Sequence, residues 1–222
     1  MEAITIIIKI WNKYHMVFLQ GLWGTLWISA LTLLFGSLVG MVVAFCRLTK
    51  SRILNAICRF YIEIIRGTPI LLQLYFFWLW LPKATGLDLS NLTCILVALV
   101  VSTGAYVAEI IRAGIEAVDR GQTEAARSLG LTETQTLVHV VLPQAVKNIL
   151  PALANEFIVT IKQSSLASQF FIAELTTAYK TVQSSTFRPI PPLIISGLIY
   201  LIVCFSLSRM LGVWERRLKV AD

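Results

Sequence analysis

The chain has 222 residues, of which 57% are hydrophobic and 14% are charged, and its mean hydropathy is +0.76. Apolar runs of about 20 residues without charge exclude an ordinary soluble domain, because in lipid a helix satisfies its own backbone hydrogen bonds. The net charge of +7 is spread over several short loops and therefore does not indicate a nucleic-acid partner. We expect an all-α integral membrane protein that contacts lipid and crosses the bilayer several times.

The chain begins with a segment that is typical of a helix lying at the membrane surface. This interfacial segment covers residues 1–20, and Trp11, Tyr14 and Trp23 are its candidate anchors. It lacks the basic start and the cleavage site of a removable signal peptide. The first predicted span follows at Leu22 to Phe45, which contains no charged residue.

Three further spans follow from the hydropathy pattern with different clarity. The second is interrupted, because Gly67 and Pro69 separate a charged stretch from the apolar block Ile70 to Leu81. The third predicted span is Leu92 to Ile111, and the last is Leu193 to Leu211. The pattern therefore predicts helices of ordinary membrane-crossing length on both sides of a polar middle region.

The fourth of the five spans, Ile149 to Phe171, is unusual because polar residues interrupt it. A helix facing lipid does not tolerate them, so this span is expected to face a bundle interior or a water-filled path. A loop is predicted from Thr181 to Pro192. The interrupting residues are Asn155, Glu156, Lys162, Gln163, Ser164 and Ser165.

Basic residues are divided unevenly between the two sides of this arrangement. About twelve Lys and Arg residues lie in short loops on one side and about five on the other, and the richer side is normally cytoplasmic. The group after the first span is Arg47, Lys50 and Arg52. The hydropathy pattern predicts five transmembrane helices in a single domain covering residues 1–222, and the count places the N-terminus outside and the C-terminus in the cytoplasm.

The polar middle region, Gln122 to Pro143, predicts a helix, a glycine turn and a second helix. Gly130 suits the left-handed residue that closes the first helix. Thr132 and Gln135 match the capping box that starts the second, and Pro143 is expected to interrupt the apolar run after it. The orientation count places this hairpin in the cytoplasm.

The hairpin resembles the EAA signature of permease subunits in bacterial ABC importers, through Glu124, Ala125 and Ala126 followed by Gly130. A longer pattern is similar to the polar amino-acid permeases of that superfamily. This pattern consists of Arg66-Gly67-Thr68-Pro69 with Gln73, Gly121-Gln122, Pro143-Gln144-Ala145, and Lys162-Gln163-Ser164-Ser165-Leu166.

Two positions of the last motif depart from the family. Many relatives have Lys-Asp-Thr-Ser-Leu, whereas this chain has Gln163 and Ser164 in the second and third places. A role assigned to the acidic side chain in those relatives is therefore not carried over to Gln163.

The resemblance implies a type I ABC importer permease fold and a non-catalytic subunit that moves a polar amino acid into the cytoplasm by alternating access. It implies two ATPase subunits that bind ATP and Mg, a second permease in a homodimer or a homologous heterodimer, and an extracytoplasmic amino-acid-binding protein. It also implies a multi-pass subunit of the bacterial cytoplasmic (inner) membrane. This chain itself is expected to hold no cofactor.

In such an importer, residues 121–143 would form a coupling hairpin that docks on the ATPase and converts its closure into a movement of the membrane helices. Glu124 would fix the hairpin by pairing with Arg127 or with a basic residue of the partner. The coupling residues implied by the resemblance are Gly121, Glu124, Ala125, Ala126, Arg127, Gly130 and Leu131.

Candidates for the substrate path come from the polar residues of the predicted spans. Lys162 can attract the carboxylate of an amino acid, and Gln163, Ser164 and Ser165 can give it neutral hydrogen bonds. The alternative for Lys162 is structural: it neutralises Glu156 or Glu109, or meets a helix end. Both interpretations stay open at this point.

Other candidates have the same two interpretations. Glu63 and Arg66 stand three residues apart, which favours an internal ion pair over substrate contact, and Glu109 and Arg112 repeat that spacing. The uncharged candidates either line a cavity or join helices by hydrogen bonds. They are Gln73, Tyr106 and Asn155.

Two other function classes are a secondary carrier and an enzyme. An ion- or proton-coupled secondary amino-acid carrier would use Glu63, Glu109 and Lys162 as coupling sites. An enzyme is not expected, because no nucleophile and base pair and no phosphate-binding loop is present in the sequence. Neither histidine, His15 or His139, has a second ligand at metal-binding spacing, so no metal site is expected. The sequence leaves acidic, amide, basic and sulfur-containing amino acids open as substrates.

Overall fold

A computed structural model describes residues 2–49 and 51–220, and nearly all of this part of the chain is helical. Lys50, which contributed to the orientation count, lies outside the described residues, as do both ends of the predicted domain 1–222. The α-helices are α1 Glu2–Leu48, α2 Arg52–Gly67, α3 Ile70–Thr85, α4 Asn91–Glu116, α5 Arg120–Ser128, α6 Glu133–Thr136, α7 Leu142–Gln163, α8 Leu175–Thr186 and α9 Ile190–Val220. A π-helical segment, Leu137–Val141, joins α6 to α7, and a 3-10 helix, Ser164–Phe170, follows α7.

The predicted all-helical membrane fold is confirmed. Within the described residues, four helical segments are long and apolar enough to cross a membrane, and the pair α2 and α3 supplies a fifth crossing if it counts as one span. The four segments are Ile4–Leu48, Asn91–Glu116, Glu133–Phe170 and Ile190–Arg216. The predicted number of five spans is therefore reached only if the bent pair α2 and α3 is counted as one span.

The second predicted span is not one straight helix. The axes of α2 and α3 differ by 111°, and the break falls at Thr68 and Pro69. Proline has no N–H to continue the ladder and forces the residue before it into an extended conformation, which Thr68 adopts with φ −119° and ψ 147°. The side-chain amide of Gln73 closes the break by donating to the carbonyls of Ile65 and Thr68.

The first helix is longer than expected. Residues of the predicted interfacial segment and of the first span belong to one uninterrupted helix, α1, of 47 residues. Of the predicted anchors, Trp23 is exposed, whereas Tyr14 packs against a core of Phe18, Leu175 and their neighbours. The placement of residues 1–20 at the membrane surface stays a prediction.

The predicted loop from Thr181 to Pro192 is wrong for most of its length. Helix α8 continues to Thr186, and the hydroxyls of Ser184 and Ser185 donate to the helix carbonyls four residues earlier. Pro191 and Pro192 lie in the first turn of α9, where a backbone N–H has no helical partner to lose. Only three residues separate the two helices.

Helix α4 forms the centre of the bundle, with small residues such as Ala98, Ala105 and Ala108 fully buried. Helix α1 packs closely along it, because Gly36 and Gly40 face Thr103 and Val107 with no room for a Cβ atom. The coupling hairpin and the polar helix α7 are held on this frame.

Candidate coupling and translocation sites

The predicted hairpin is present with the local contacts that its sequence indicates. Asp119 caps α5 through a 2.7 Å hydrogen bond from the backbone N–H of Gly121. Gly130 follows in the left-handed region with φ +87°. The capping box of Thr132 and Gln135 then starts α6, with both of its reciprocal bonds formed.

One predicted contact within the hairpin is wrong. Arg127 does not pair with Glu124; its Nη1 donates to the carbonyl oxygen of Leu131 at 3.0 Å. This bond ties the end of α5 to the first residue after the glycine turn. Glu124 stays exposed on α5, which leaves the alternative of pairing with a basic residue of another chain open.

Almost the whole surface of helix α5 is exposed rather than packed against the rest of the chain. Ala126 is buried against the rest of the protein, whereas Glu124 and Ala125 are exposed. Leu129 is 82% exposed beside the glycine turn. The sequence interpretation missed Leu129, because one leucine in a polar segment carries no periodic signal.

The second arm of the hairpin is continuous with the fourth span. The predicted interruption at Pro143 is wrong: the backbone N–H of Leu142 bonds to the carbonyl of Leu137, five residues earlier, and α7 continues directly. A π-turn of this kind accommodates the proline ring without ending the helix. Residues Glu133–Phe170 therefore form one helical segment from the hairpin to the far end of the span.

Helix α7 carries an exposed polar stripe, which we define as Asn148, Asn155, Lys162 and Gln169. These residues are spaced by seven, so the first three lie on one face of α7 and the fourth lies in the 3-10 helix that follows. At about 10 Å per seven residues, the three on α7 extend over about 21 Å. Lipid does not accommodate such a face, so it belongs against a second chain or a polar route.

The four candidates from Lys162 to Ser165 lie where α7 changes into the 3-10 helix. Lys162 is exposed and Gln163 is half-buried. The hydroxyls of Ser164 and Ser165 donate to the carbonyls of Ile161 and Lys162, at 2.8 and 2.6 Å, which leaves their oxygens free to accept. Lys162 also lies at the negative end of the α7 dipole.

The structural alternatives for Lys162 with Glu109 and Glu156 are wrong within the described residues. Glu109 pairs with arginines, as described below. Glu156 is buried, and its Oε1 has no hydrogen-bond partner among the described residues. Lys162 itself makes no ion pair in the described part of the chain, so its charge is available to a ligand or to another chain.

Acidic and basic candidates in the C-terminal part of α4 form one network with arginines of α1 and α2, centred on Glu109. Its carboxylate lies 3.3 Å from Nη1 of Arg47 and 3.6 Å from Nη1 of Arg66, and accepts a 2.9 Å bond from Nε of Arg112. The predicted Glu109–Arg112 pair is therefore confirmed. Arg66 turns to Glu109 and stacks over the ring of Tyr106, so the predicted pair with Glu63 is wrong.

The uncharged candidates separate into two kinds. Gln73 joins α2 and α3, as the hydrogen-bonding alternative predicts, while its Oε1 stays without a partner among the described residues. Tyr106 is half-buried beneath Arg66, which places it in the arginine network. Asn155 is exposed and belongs to the polar stripe.

Glu174 is a buried site residue that the sequence interpretation did not consider. Its carboxylate caps α8 by accepting from the backbone N–H groups of Thr176 and Thr177, at 2.7 and 2.6 Å, and from the hydroxyl of Tyr200 at 3.0 Å. Burial raises the pKa of Glu174 above its ordinary value, against the lowering effect of these donors. Glutamate is not among the residues that favour an N-cap, so the local sequence gave no signal for this cap.

A fold of this kind, with a solvent-exposed hairpin continuous with a membrane-crossing helix that has a polar face, is that of the membrane subunit of a transporter. Residues 36–220 match the family model described as the binding-protein-dependent transport system inner membrane component. The chain belongs to this family and is a permease subunit of an amino-acid ABC transporter.

Curated relatives support this membership over nearly the whole chain. The arginine transport system permease protein ArtQ of Bacillus subtilis (strain 168) is 37% identical over 92% of this chain and 93% of its own length. The glutamine transport system permease protein GlnP of Escherichia coli (strain K12) is 36% identical over 91% and 93%.

Solved structures agree with the fold. A chain from the crystal structure of an amino acid ABC transporter with histidines is 42% identical, with a TM-score of 0.90 over 93% of this chain and 96% of that chain. A chain of the inward-facing MetNI methionine ABC transporter is 17% identical, with a TM-score of 0.75 over 91% and 96%, which supports the fold alone.

Proposed function

We propose that this chain is the membrane subunit of an ATP-driven importer that moves a polar amino acid into the cytoplasm across the bacterial inner membrane. It works with a second permease subunit, two ATPase subunits and an extracytoplasmic amino-acid-binding protein. ATP and Mg²⁺ bind to the ATPase subunits, and this chain contributes no catalytic group and no cofactor of its own.

Residues 121–143 are the coupling hairpin in this proposal. The exposed surface of α5, with Glu124, Ala125 and Leu129, docks on the ATPase. The bond from Arg127 to Leu131 and the turn at Gly130 hold the two arms of the hairpin at a fixed angle. Gly121 and Leu131 flank the docking surface at the cap of α5 and after the turn.

The observation that carries the proposal is the continuity of Glu133–Phe170. One end of this segment is an arm of the exposed hairpin, and the other holds Lys162 and Ser165. A rigid helix transmits a displacement of its end without needing a chain of separate contacts, so a tilt imposed by ATPase closure reorients the polar stripe. This movement is the physical basis of alternating access in this chain.

The polar stripe forms one wall of the substrate route. Lys162 faces the amino acid's carboxylate, and the hydroxyl oxygen of half-buried Ser165 accepts a hydrogen bond from its ammonium group. Ser164 is fully buried and therefore does not line the route. Gln163 replaces a charged contact with a neutral one. The relatives' names include arginine and glutamine, and both of these amino acids have the ammonium and carboxylate groups that this wall recognises.

The remaining candidates have supporting roles. Glu63 is exposed on α2, and Arg66 belongs with Tyr106 to the network around Glu109. Gln73 holds the bend between α2 and α3, and Asn155 continues the polar stripe. We assign the first ligand contact to Lys162, Gln163 and Ser165, which are exposed or half-buried.

The test is uptake of radiolabelled arginine and glutamine by proteoliposomes that contain the permease, its ATPase and its binding protein. Gly130→Asp is expected to reduce uptake and ATPase association together, because it places a negative charge beside the docking surface of α5. Lys162→Gln is expected to reduce uptake at least tenfold while ATPase association stays unchanged, since a charged hydrogen bond contributes about 1.5–3 kcal/mol. Lys83→Gln removes an exposed charge outside the polar stripe and is the matched control.

Two results would overturn this function. Unchanged uptake by a fully expressed Gly130→Asp variant would remove the coupling role of the hairpin. Gradient-driven uptake by this chain alone, with no ATPase and no ATP, would identify a secondary carrier instead.

A further inference from the structure

A small cavity of about 190 Å³ lies between the end of α1, the start of α2 and the end of α4. Three arginines line it, Arg47, Arg59 and Arg112, together with the side chain of Asn55 and one carboxylate, that of Glu116. The remaining wall is aliphatic, including Leu48 and Ile111. The lining therefore has more hydrogen-bond donors than acceptors on one side and is apolar on the other.

The charges around this cavity are not balanced. Glu109 pairs with Arg47, Arg66 and Arg112, and Glu116 pairs with Arg112. Arg59 is exposed and has no acidic partner among residues 2–49 and 51–220. In the lining itself three guanidinium groups stand against the single carboxylate of Glu116, so the cavity favours an anion.

The cavity lies where a phospholipid headgroup is expected. Arg47 comes directly after the apolar part of α1, and the 111° bend leaves α2 nearly perpendicular to α3. Helix α2 also exposes an apolar row, Ile53, Ile57, Phe60 and Ile64, with exposed fractions between 45% and 76%. A helix with an exposed apolar row and a separate basic face is typical of the boundary between headgroups and acyl chains.

We propose that this cavity binds the phosphate of an anionic phospholipid headgroup, whose acyl chains lie along the exposed apolar row of α2. Basic pockets between membrane helices on the side rich in Lys and Arg bind such headgroups. The phosphate oxygens accept from Arg59 and from the unused donors of Arg47 and Arg112. The bound lipid connects α1, α2 and α4 at the end of the bundle from which the coupling hairpin emerges.

The experiment measures binding of fluorescent phosphatidylglycerol and phosphatidylcholine to the purified full-length chain in detergent. Phosphatidylglycerol is expected to bind more tightly, because it has a net negative charge. Arg59→Gln is expected to weaken its binding about fivefold, which corresponds to about 1 kcal/mol for one basic residue at an anionic surface.

Arg52→Gln is the matched control. It removes the same charge from the exposed part of the same helix, two turns earlier, and Arg52 does not line the cavity. A variant at Arg59 avoids the Glu109 network, so folding is expected to be retained, and an unchanged unfolding midpoint checks this.

Three outcomes would overturn the proposal. The first is equal binding of the two lipids by the unaltered protein. The second is an equal loss of phosphatidylglycerol binding in the Arg52 and Arg59 variants, which would indicate a diffuse surface charge. The third is tight binding of inorganic phosphate that depends on Arg59 without any preference for phosphatidylglycerol, which would indicate a small-anion site.

Discussion

The coupling hairpin and the junction between α1 and α8 are held together in opposite ways. In the hairpin, the capping bond of Asp119, the turn at Gly130 and the Thr132–Gln135 box join residues at most five apart in sequence. At the junction, the backbone N–H of Leu175 donates to the hydroxyl of Thr25, 150 residues away. The first region is specified by neighbours in sequence and the second by packing of the complete chain.

The junction depends on the close approach of α1 to the start of α8. A Cβ atom on Gly24 would lie 2.0 Å from the carbonyl oxygen of Ala173, and one on Gly21 would lie 2.8 Å from the Cβ of Ala178. Glu174 then fixes the start of α8 with its three donors. Changes at the junction are therefore expected to destabilise the whole bundle, whereas changes in the hairpin act locally.

Gly24→Ala is expected to have the largest effect. The added methyl group cannot avoid the backbone oxygen of Ala173, so the start of α8 must separate from α1. Overpacking typically costs about 1–3 kcal/mol, and the 2.0 Å approach to a backbone atom places this variant at the upper end of that range. The measurement is the thermal unfolding midpoint of the purified protein in detergent.

Gly197→Ala is the control for this variant. Gly197 lies within α9, and no atom approaches within 4 Å of the position of its added Cβ. Its midpoint is expected to stay the same or to rise slightly, because alanine is the better helix former. Equal loss of stability in both variants would contradict the role of close approach at Gly24.

Glu174→Ala is expected to have the next largest effect. It leaves the N–H groups of Thr176 and Thr177 and the hydroxyl of Tyr200 without their acceptor in a buried region. We expect the free energy of unfolding to fall by about 2–3 kcal/mol. The measurement is again the thermal midpoint in detergent.

Glu124→Ala, in the exposed part of the hairpin, is the matched control for Glu174→Ala. It is expected to change the free energy of unfolding by no more than about 0.5 kcal/mol, as for most surface substitutions, and therefore to leave the thermal midpoint nearly unchanged. A larger loss from Glu124→Ala than from Glu174→Ala would reverse the proposed difference between the two regions.

This difference explains which parts of the structure were predictable. The hairpin followed from Gly130, Thr132 and Gln135, because left-handed turns and capping boxes depend on a few neighbouring residues. The partner of Arg66 did not follow, since spacing along α2 suggested Glu63, whereas tertiary packing brings Glu109 to it. Local spacing gives the possible pairs, and packing selects among them.

The elements containing proline show the same limit. Pro143 was expected to interrupt its helix, but a single π-turn accommodates it. Pro191 and Pro192 suggested a loop, but they occupy the first helical turn of α9. A proline restricts one backbone position, and the packing of the flanking residues determines whether the helix ends there, bends or begins.

The polar stripe was predicted in part. Asn155 and Lys162 were predicted to face a polar region because they interrupt an apolar run. Asn148 and Gln169 lie near the ends of that run, where a polar residue is not unusual. Their common face is recognised only when α7 is known to continue from the hairpin as one helix. The helical register therefore had to come from the structure.

The smallest effect on stability is expected at Gly130. There the contribution of local sequence contacts can be separated from that of packing of the whole chain. No atom lies within 4 Å of an added Cβ there, so a substitution meets no clash and costs only the left-handed conformation. That cost is about 1–2 kcal/mol for alanine and less for asparagine, which tolerates positive φ.

We expect Gly130→Ala to leave the thermal midpoint nearly unchanged and to speed hydrogen exchange at the N–H of Leu131, which bonds to the carbonyl of Ala126, by at least fivefold. Gly130→Asn is expected to show a smaller increase at the same amide, since its side chain is compatible with the turn. A fall in the global midpoint without faster local exchange would mean that the hairpin is part of the bundle's cooperative unit. In that case a strain applied at Gly130 would be shared with α4 and α7, and the hairpin would move with the membrane helices as one body.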